Sequence, residues 1–105
     1  MESSLGEIFA QLERYVMPLI GSDSPHGLSK EENRILALQN INRLNQTIGQ
    51  LVRSGQSSPI DMKVLQTQVN NLTIGVKYDN AAQMKIALTQ VRNLVTTYNS
   101  MKSKN

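Results

Sequence analysis

Residues 61–98, DMKVLQTQVNNLTIGVKYDNAAQMKIALTQVRNLVTTY, decide the fold. Met62, Leu65, Val69, Leu72 and Val76 recur at intervals of three and four, and after Lys77 to Asn80 the rhythm resumes with Met84, Leu88, Val91, Val95 and Tyr98. A period near 3.6 places each set on one face of a helix. Two helices separated by a short polar turn form an antiparallel hairpin. Helix 3 is expected over 59–76, with Ser58 as cap, Pro59 in the first turn and Asp61 as a first-turn acid. Gly75 weakens its end and permits a close helix crossing. Ala81, Ala87 and Leu94 broaden the seam of helix 4, and the Lys/Ser tail frays.

The same rhythm extends toward the N-terminus. Ile35, Leu38, Ile41, Leu44, Ile48, Leu51 and Val52 make a stripe broad enough to face two neighbours, on a helix that begins after the capping box of Ser29 and Glu32 and runs to Ser54. Leu5, Phe9, Leu12, Val16 and Leu19 mark a first helix over 5–19, with Ser4 and Glu7 as its capping box and Pro18 ending or kinking it near Met17. The expected fold is all-α, a compact antiparallel bundle of four helices in one domain, 1–105, with a helical core at 29–101. The loop Gly21 to Gly27 separates helix 1 from the others, so residues 5–19 are expected to form a mobile helix, detached or packed on a partner.

Composition narrows the function. The chain has no cysteine, which removes thiolate chemistry and disulfides and suits a reducing compartment. The first residues lack the basic start and continuous apolar block of a secretory signal, and no apolar run reaches the length of a membrane span, so a cytoplasmic or nuclear protein without membrane insertion is expected. About 19 of the 105 residues are Asn or Gln, giving a polar but lightly charged surface. The net charge of +3 divides unevenly: residues 1–33 carry six acids and two bases, residues 34–105 two acids and nine bases.

No residue set spells out a reaction. His26 is the only histidine, in the Gly/Pro loop without other ligands, and reads as a solvent-exposed loop residue, while Asp23 caps a local turn. Glu31 and Glu32 are adjacent, face different directions and serve helix-end electrostatics, as does Asp61, and Asp79 is a turn residue. Glycines 21, 27, 49, 55 and 75 follow no strand and form no phosphate loop. Met17, Met62, Met84 and Met101 read as adaptable seam residues, with a peptide groove as their other use. Tyr78 and Tyr98 read as packing residues whose hydroxyls reach solvent. No cofactor, metal or small-molecule substrate is implied.

The order of features from Ile35 to Leu94 resembles the helical C-terminal module shared by the COPII outer-coat scaffold protein and the steroid receptor RNA activator protein. The residues concerned are the long helix with Ile41, Leu44, Ile48 and Leu51, the break SGQSSP at 54–59, the seam Leu65, Val69 and Leu72, and YDNAAQMKIAL at 78–88. The resemblance covers roughly 60 residues and departs where the family continues through a tryptophan, which this chain lacks. It implies a protein-association or scaffold domain without catalytic residues, and carries over no RNA-binding residue.

Two functions are therefore expected in competition. One is a noncatalytic protein-protein interaction or scaffolding module, or a homo-oligomer, binding through Leu5, Phe9, Leu12 and Val16 of helix 1. The other is a nucleic-acid-binding accessory protein that uses basic residues after position 33. Among Arg34, Arg43, Arg53, Lys63, Lys77, Lys85, Arg92, Lys102 and Lys104, the pair Lys85 and Arg92 is seven apart and shares a helix face.

Overall fold

The computed structural model describes residues 5–21, 27–55 and 57–103. They form α1 (Leu5–Ile20), α2 (Lys30–Arg53), α3 (Met62–Lys77) and α4 (Ala81–Ser103), with no strand among the described residues. The helices pair most extensively as α1 with α2 and α3 with α4, and α1 against α4 and α2 against α3 close the ring. Neighbours run antiparallel: Gly6 lies against Asn99 and Glu13 pairs with Arg92, so an advance along α1 is a retreat along α4. Lys30 to Asp79 and Asn45 to Gln66 show the same for α2 and α3.

Each end has a local cause. Ser29 caps α2: its hydroxyl accepts the Glu32 N–H at 3.1 Å, and the Glu32 carboxylate accepts the Ser29 N–H at 2.8 Å. The expected cap at Ser58 is displaced. Its hydroxyl instead accepts the Ile60 N–H at 3.2 Å, and α3 starts after Asp61, whose carboxylate accepts the N–H groups of Lys63 and Val64. The carboxylate is the better acceptor for the positive end of a helix, so Pro59 stays in the preceding bend. Pro18 does not end α1 at Met17; the helix runs on to Ile20, because a proline in the last turn removes a single rung of the ladder. The capping box expected of Ser4, and Asp23 and His26, lie outside the described residues.

The tightest element is the α3–α4 turn. Asn80 N–H reaches the Gly75 carbonyl at 2.8 Å and Asp79 N–H the Val76 carbonyl at 3.4 Å, a Schellman closure with Asp79 in the left-handed region at φ 54°. Asn80 then starts α4, its side-chain oxygen accepting the Gln83 N–H at 3.1 Å. Gly75 has the close crossing expected of it: a Cβ there would lie 2.9 Å from Met84 Cγ and 3.0 Å from the Met84 backbone nitrogen.

The core is aliphatic, with Leu12, Ile41, Leu44, Leu65, Leu72 and Met84 at its centre and Phe9 as its one buried aromatic residue. Two amides enter it that the apolar pattern misses. Asn33 and Asn40, one heptad apart on α2, are 1% and 6% exposed and donate from their side chains to the Ser29 and Leu36 carbonyls. Conversely Ile35 and Val52, expected in the α2 stripe, are 49% and 58% exposed, and Ala81 of the α4 seam is exposed too. On a long helix the ends of an apolar stripe outrun the neighbours that cover it.

Helix α1 is part of the core. Leu5, Phe9, Leu12 and Val16 are all buried inside this chain, and the radius of gyration, 13.6 Å, is close to the ~13 Å of a compact domain of this length. The expectation of a mobile helix presenting these four side chains to a partner is therefore corrected. A stripe written at intervals of three and four is the same whether its partner is another chain or its own.

Leu12→Ala should lower the free energy of unfolding by about 2–5 kcal/mol in urea denaturation monitored by circular dichroism; a helix detached from the bundle would give almost no change. Two glycines should respond oppositely to alanine. Gly75→Ala should cost about 1–3 kcal/mol, because the new methyl meets backbone that cannot swing aside. Gly49→Ala, whose nearest neighbour is the flexible end of the Arg53 side chain, should gain up to about 1 kcal/mol in the same assay.

Candidate functional site

The basic residues divide by what they touch. Arg92 Nε donates to the Glu13 carboxylate at 2.6 Å and a second guanidinium nitrogen pairs with the same oxygen, so one of the two expected phosphate contacts is held across the α1–α4 seam. Lys30 pairs with Asp79 at 2.6 Å, Arg34 with Glu31 at 2.8 Å, and Arg43 donates to Gln11 at 3.0 Å. Arg53, Lys63, Lys77 and Lys85 have no ion pair among the described residues. They sit at opposite ends: Arg53 and Lys63 where α2 ends and α3 begins, Lys77 and Lys85 around the α3–α4 turn. Along α3 alone, Lys63 and Lys77 are separated by roughly 21 Å at 1.5 Å per residue. The continuous basic track that a nucleic-acid backbone requires is thus divided, and Lys85 and Arg92 do not act as a free pair. The side chain of Lys102 and the whole of Lys104 lie outside the described residues.

At the first of these ends the surface opens into a groove of about 710 Å³ between the last turns of α2 and the first turns of α3. Ile48, Leu51, Val52 and Met62 supply its apolar lining and Tyr98 of α4 joins it. Arg53 and Lys63 rise from its two walls. Gly49 lines it as well, and the Arg53 guanidinium lies against it, with Nη1 3.1 Å from where a Cβ would be. Asp61 also lines the groove, with its carboxylate engaged by the α3 N-terminus. Sequence reading missed this site, which exists only where two helix ends converge. Its one local signal is a glycine four residues before an arginine in a helix that needs no turn there.

At the opposite end the surface carries exposed apolar side chains. Ile74 and Tyr78, one helical turn apart, are 45% and 78% exposed, and Ile86 near the start of α4 is 65% exposed. Tyr78, expected to pack, does not; Tyr98 does, half-buried against the core. The left-handed Asp79 holds this tip together with Lys30. The hydrogen bond from the Lys30 ammonium keeps the Asp79 carboxyl below its ordinary range, and the Ser29 backbone N–H does the same for Glu32.

Among the described residues no group of three or more His, Asp or Glu side chains converges as a metal site, and no helix is long and apolar enough to cross a membrane. No family model, curated protein or solved structure matches this chain.

Because both carboxyls titrate lower folded than unfolded, the stability they contribute is complete above the ordinary carboxylate range, near pH 4, and is lost as pH falls through their lowered values. Asp79→Asn and Glu32→Gln should each reduce the urea midpoint at neutral pH. The gap to the parent should narrow as the titration is carried down through acid pH and the lowered carboxyls take up protons; a gap that stays constant would remove charge as the cause.

Proposed function

We propose that this chain is a noncatalytic helical protein-protein interaction or scaffolding module, acting in the cytoplasm or nucleus, whose partner docks at the α3–α4 hairpin tip. The observation that carries this reading is the set Ile74, Tyr78 and Ile86. These large apolar side chains stay exposed on the two helices that one turn joins, and exposed apolar surface near one place in the fold, unlike scattered single residues, marks interaction sites. Tyr78 has the chemistry of an interface anchor, a large ring with few rotamers to freeze and a hydroxyl to hydrogen bond at the rim. Lys77 and Lys85 beside it, without ion pairs among the described residues, give that rim a positive charge and favour a partner with acidic residues around an apolar centre. The resemblance of residues 35–94 to a coat-scaffold module supports the same class of function. Burial of Leu5, Phe9, Leu12 and Val16 moves the proposed docking surface from α1 to this tip.

Capture from nuclease-treated lysate by the intact chain should give a discrete protein. The variant Ile74→Ser/Tyr78→Ser/Ile86→Ser should lose it while keeping its helicity and thermal midpoint, since exposed positions contribute little to the core. Capture that is undiminished by the triple change would remove the hairpin tip as the docking surface.

A further inference from the structure

We propose that the groove between the end of α2 and the start of α3 is a binding site for a free amphiphilic monocarboxylate, a medium-chain fatty acid, with its alkyl chain along Ile48, Leu51, Val52 and Met62 and its carboxylate between Arg53 and Lys63. The site is separate from the hairpin tip, at the other end of α3, and does not depend on a protein docking there.

Three observations lead to it. The first is size and lining: about 710 Å³ falls within the roughly 300–1,000 Å³ of small-ligand sites, and an apolar lining with a few converging polar groups is their usual make-up. A protein interface of standard size would have to extend far beyond such a groove.

The second is charge. Arg53 and Lys63 come from different helices and neither has an ion pair among the described residues. The only acid in the lining, Asp61, directs Oδ1 to the N–H groups of Lys63 and Val64, at 2.9 and 3.4 Å. Two cations against one anion leave the groove a single positive charge, which one carboxylate neutralises. A guanidinium offers that carboxylate a two-pronged hydrogen bond, and an ammonium adds a point charge.

The third is Gly49. A glycine inside a helix costs about 1 kcal/mol relative to alanine and is retained where its backbone or its emptiness is used. Gly49 lies within α2, outside the positive-φ glycines, and the atoms nearest its missing Cβ belong to the Arg53 side chain, with Nη1 at 3.1 Å. At Gly75, by contrast, the absent side chain is required by α4. At Gly49 the absent side chain lets the Arg53 guanidinium lie against α2 at the edge of the groove, where a larger residue would crowd it.

The test is a titration of the isotope-labelled full chain with sodium decanoate below its micelle concentration, followed by amide chemical shifts. Saturable shifts at Gly49, Val52 and Lys63 are expected, with a dissociation constant of roughly 0.1–1 mM for so small a ligand. Acetate and decyltrimethylammonium should not reproduce them, since one lacks the chain and the other carries the wrong charge. Arg53→Gln/Lys63→Gln should weaken decanoate roughly fivefold, as loss of two solvent-exposed charged contacts does. Gly49→Leu should fill the groove and abolish the shifts with the thermal midpoint retained. The charge variant, which leaves every core residue in place, keeps the test decisive should Gly49→Leu disturb the fold. Absence of saturable shifts at these amides with 1 mM decanoate (about the weakest affinity expected), or decanoate binding unchanged in the charge variant, would overturn the proposal.

Discussion

At Gly75 the backbone of α3 comes within van der Waals reach of Met84 on α4, and much else follows from that approach. Because no side chain intervenes, the two helices cross close to the turn that joins them, and the turn must reverse the chain in very few residues. Asp79 takes the left-handed conformation, and Asn80 both completes the end of one helix and caps the next. The aliphatic faces of α3 and α4 are thereby set in register, forming half of the core. Helices α1 and α2 complete the ring against that surface. The same shortness leaves Tyr78 with nowhere to fold inward, so the constraint that builds the hairpin also displays its aromatic ring.

The amide excess that distinguishes this composition has a structural use that charge would serve poorly. Asn33 and Asn40 enter the core on α2 and satisfy their donors on carbonyls of their own helix. Gln66 donates to Asn45 on α2 and to Asn70 on α3, tying two helices without a desolvated ion. Buried, the Asn40 side-chain oxygen is left without a hydrogen-bond partner among the described residues, a cost that an apolar residue would avoid. Polar groups at core positions restrict which helix faces can meet, and α2 needs such restriction because its apolar stripe is broad enough to accept more than one neighbour.

The four helices and the greater part of the core were legible because both depend on spacing, and three-four spacing survives any arrangement of the partners. Gly75 was legible as well, since a glycine near a helix end beside a tight turn has few other uses. What spacing cannot convey is which element covers which stripe. Leu5, Phe9, Leu12 and Val16 look alike as an interaction face and as a core face, and Ile35 and Val52 look like core until the length of the neighbouring helices is known. Charges misled similarly: Arg92 reads as free along the chain, yet Glu13, far away in sequence, meets it in space. The groove was the least legible feature, because its walls belong to the ends of two helices and its signal is an absence at residue 49.

The pairing of α1 with α4 has a consequence for the order in which the protein can be made. During synthesis α1 leaves the ribosome well before α4, so Phe9, Leu12 and Val16 must wait for residues 81–103 before that side of the core can close. Until then α1 has only α2 to lean on, across a seam that contains amides, and α3 lacks its principal partner. A nascent or prematurely terminated chain that stops before Val91 would therefore present apolar faces from two helices at once, making the unfinished protein a natural client for chaperones even though the finished one buries those same surfaces.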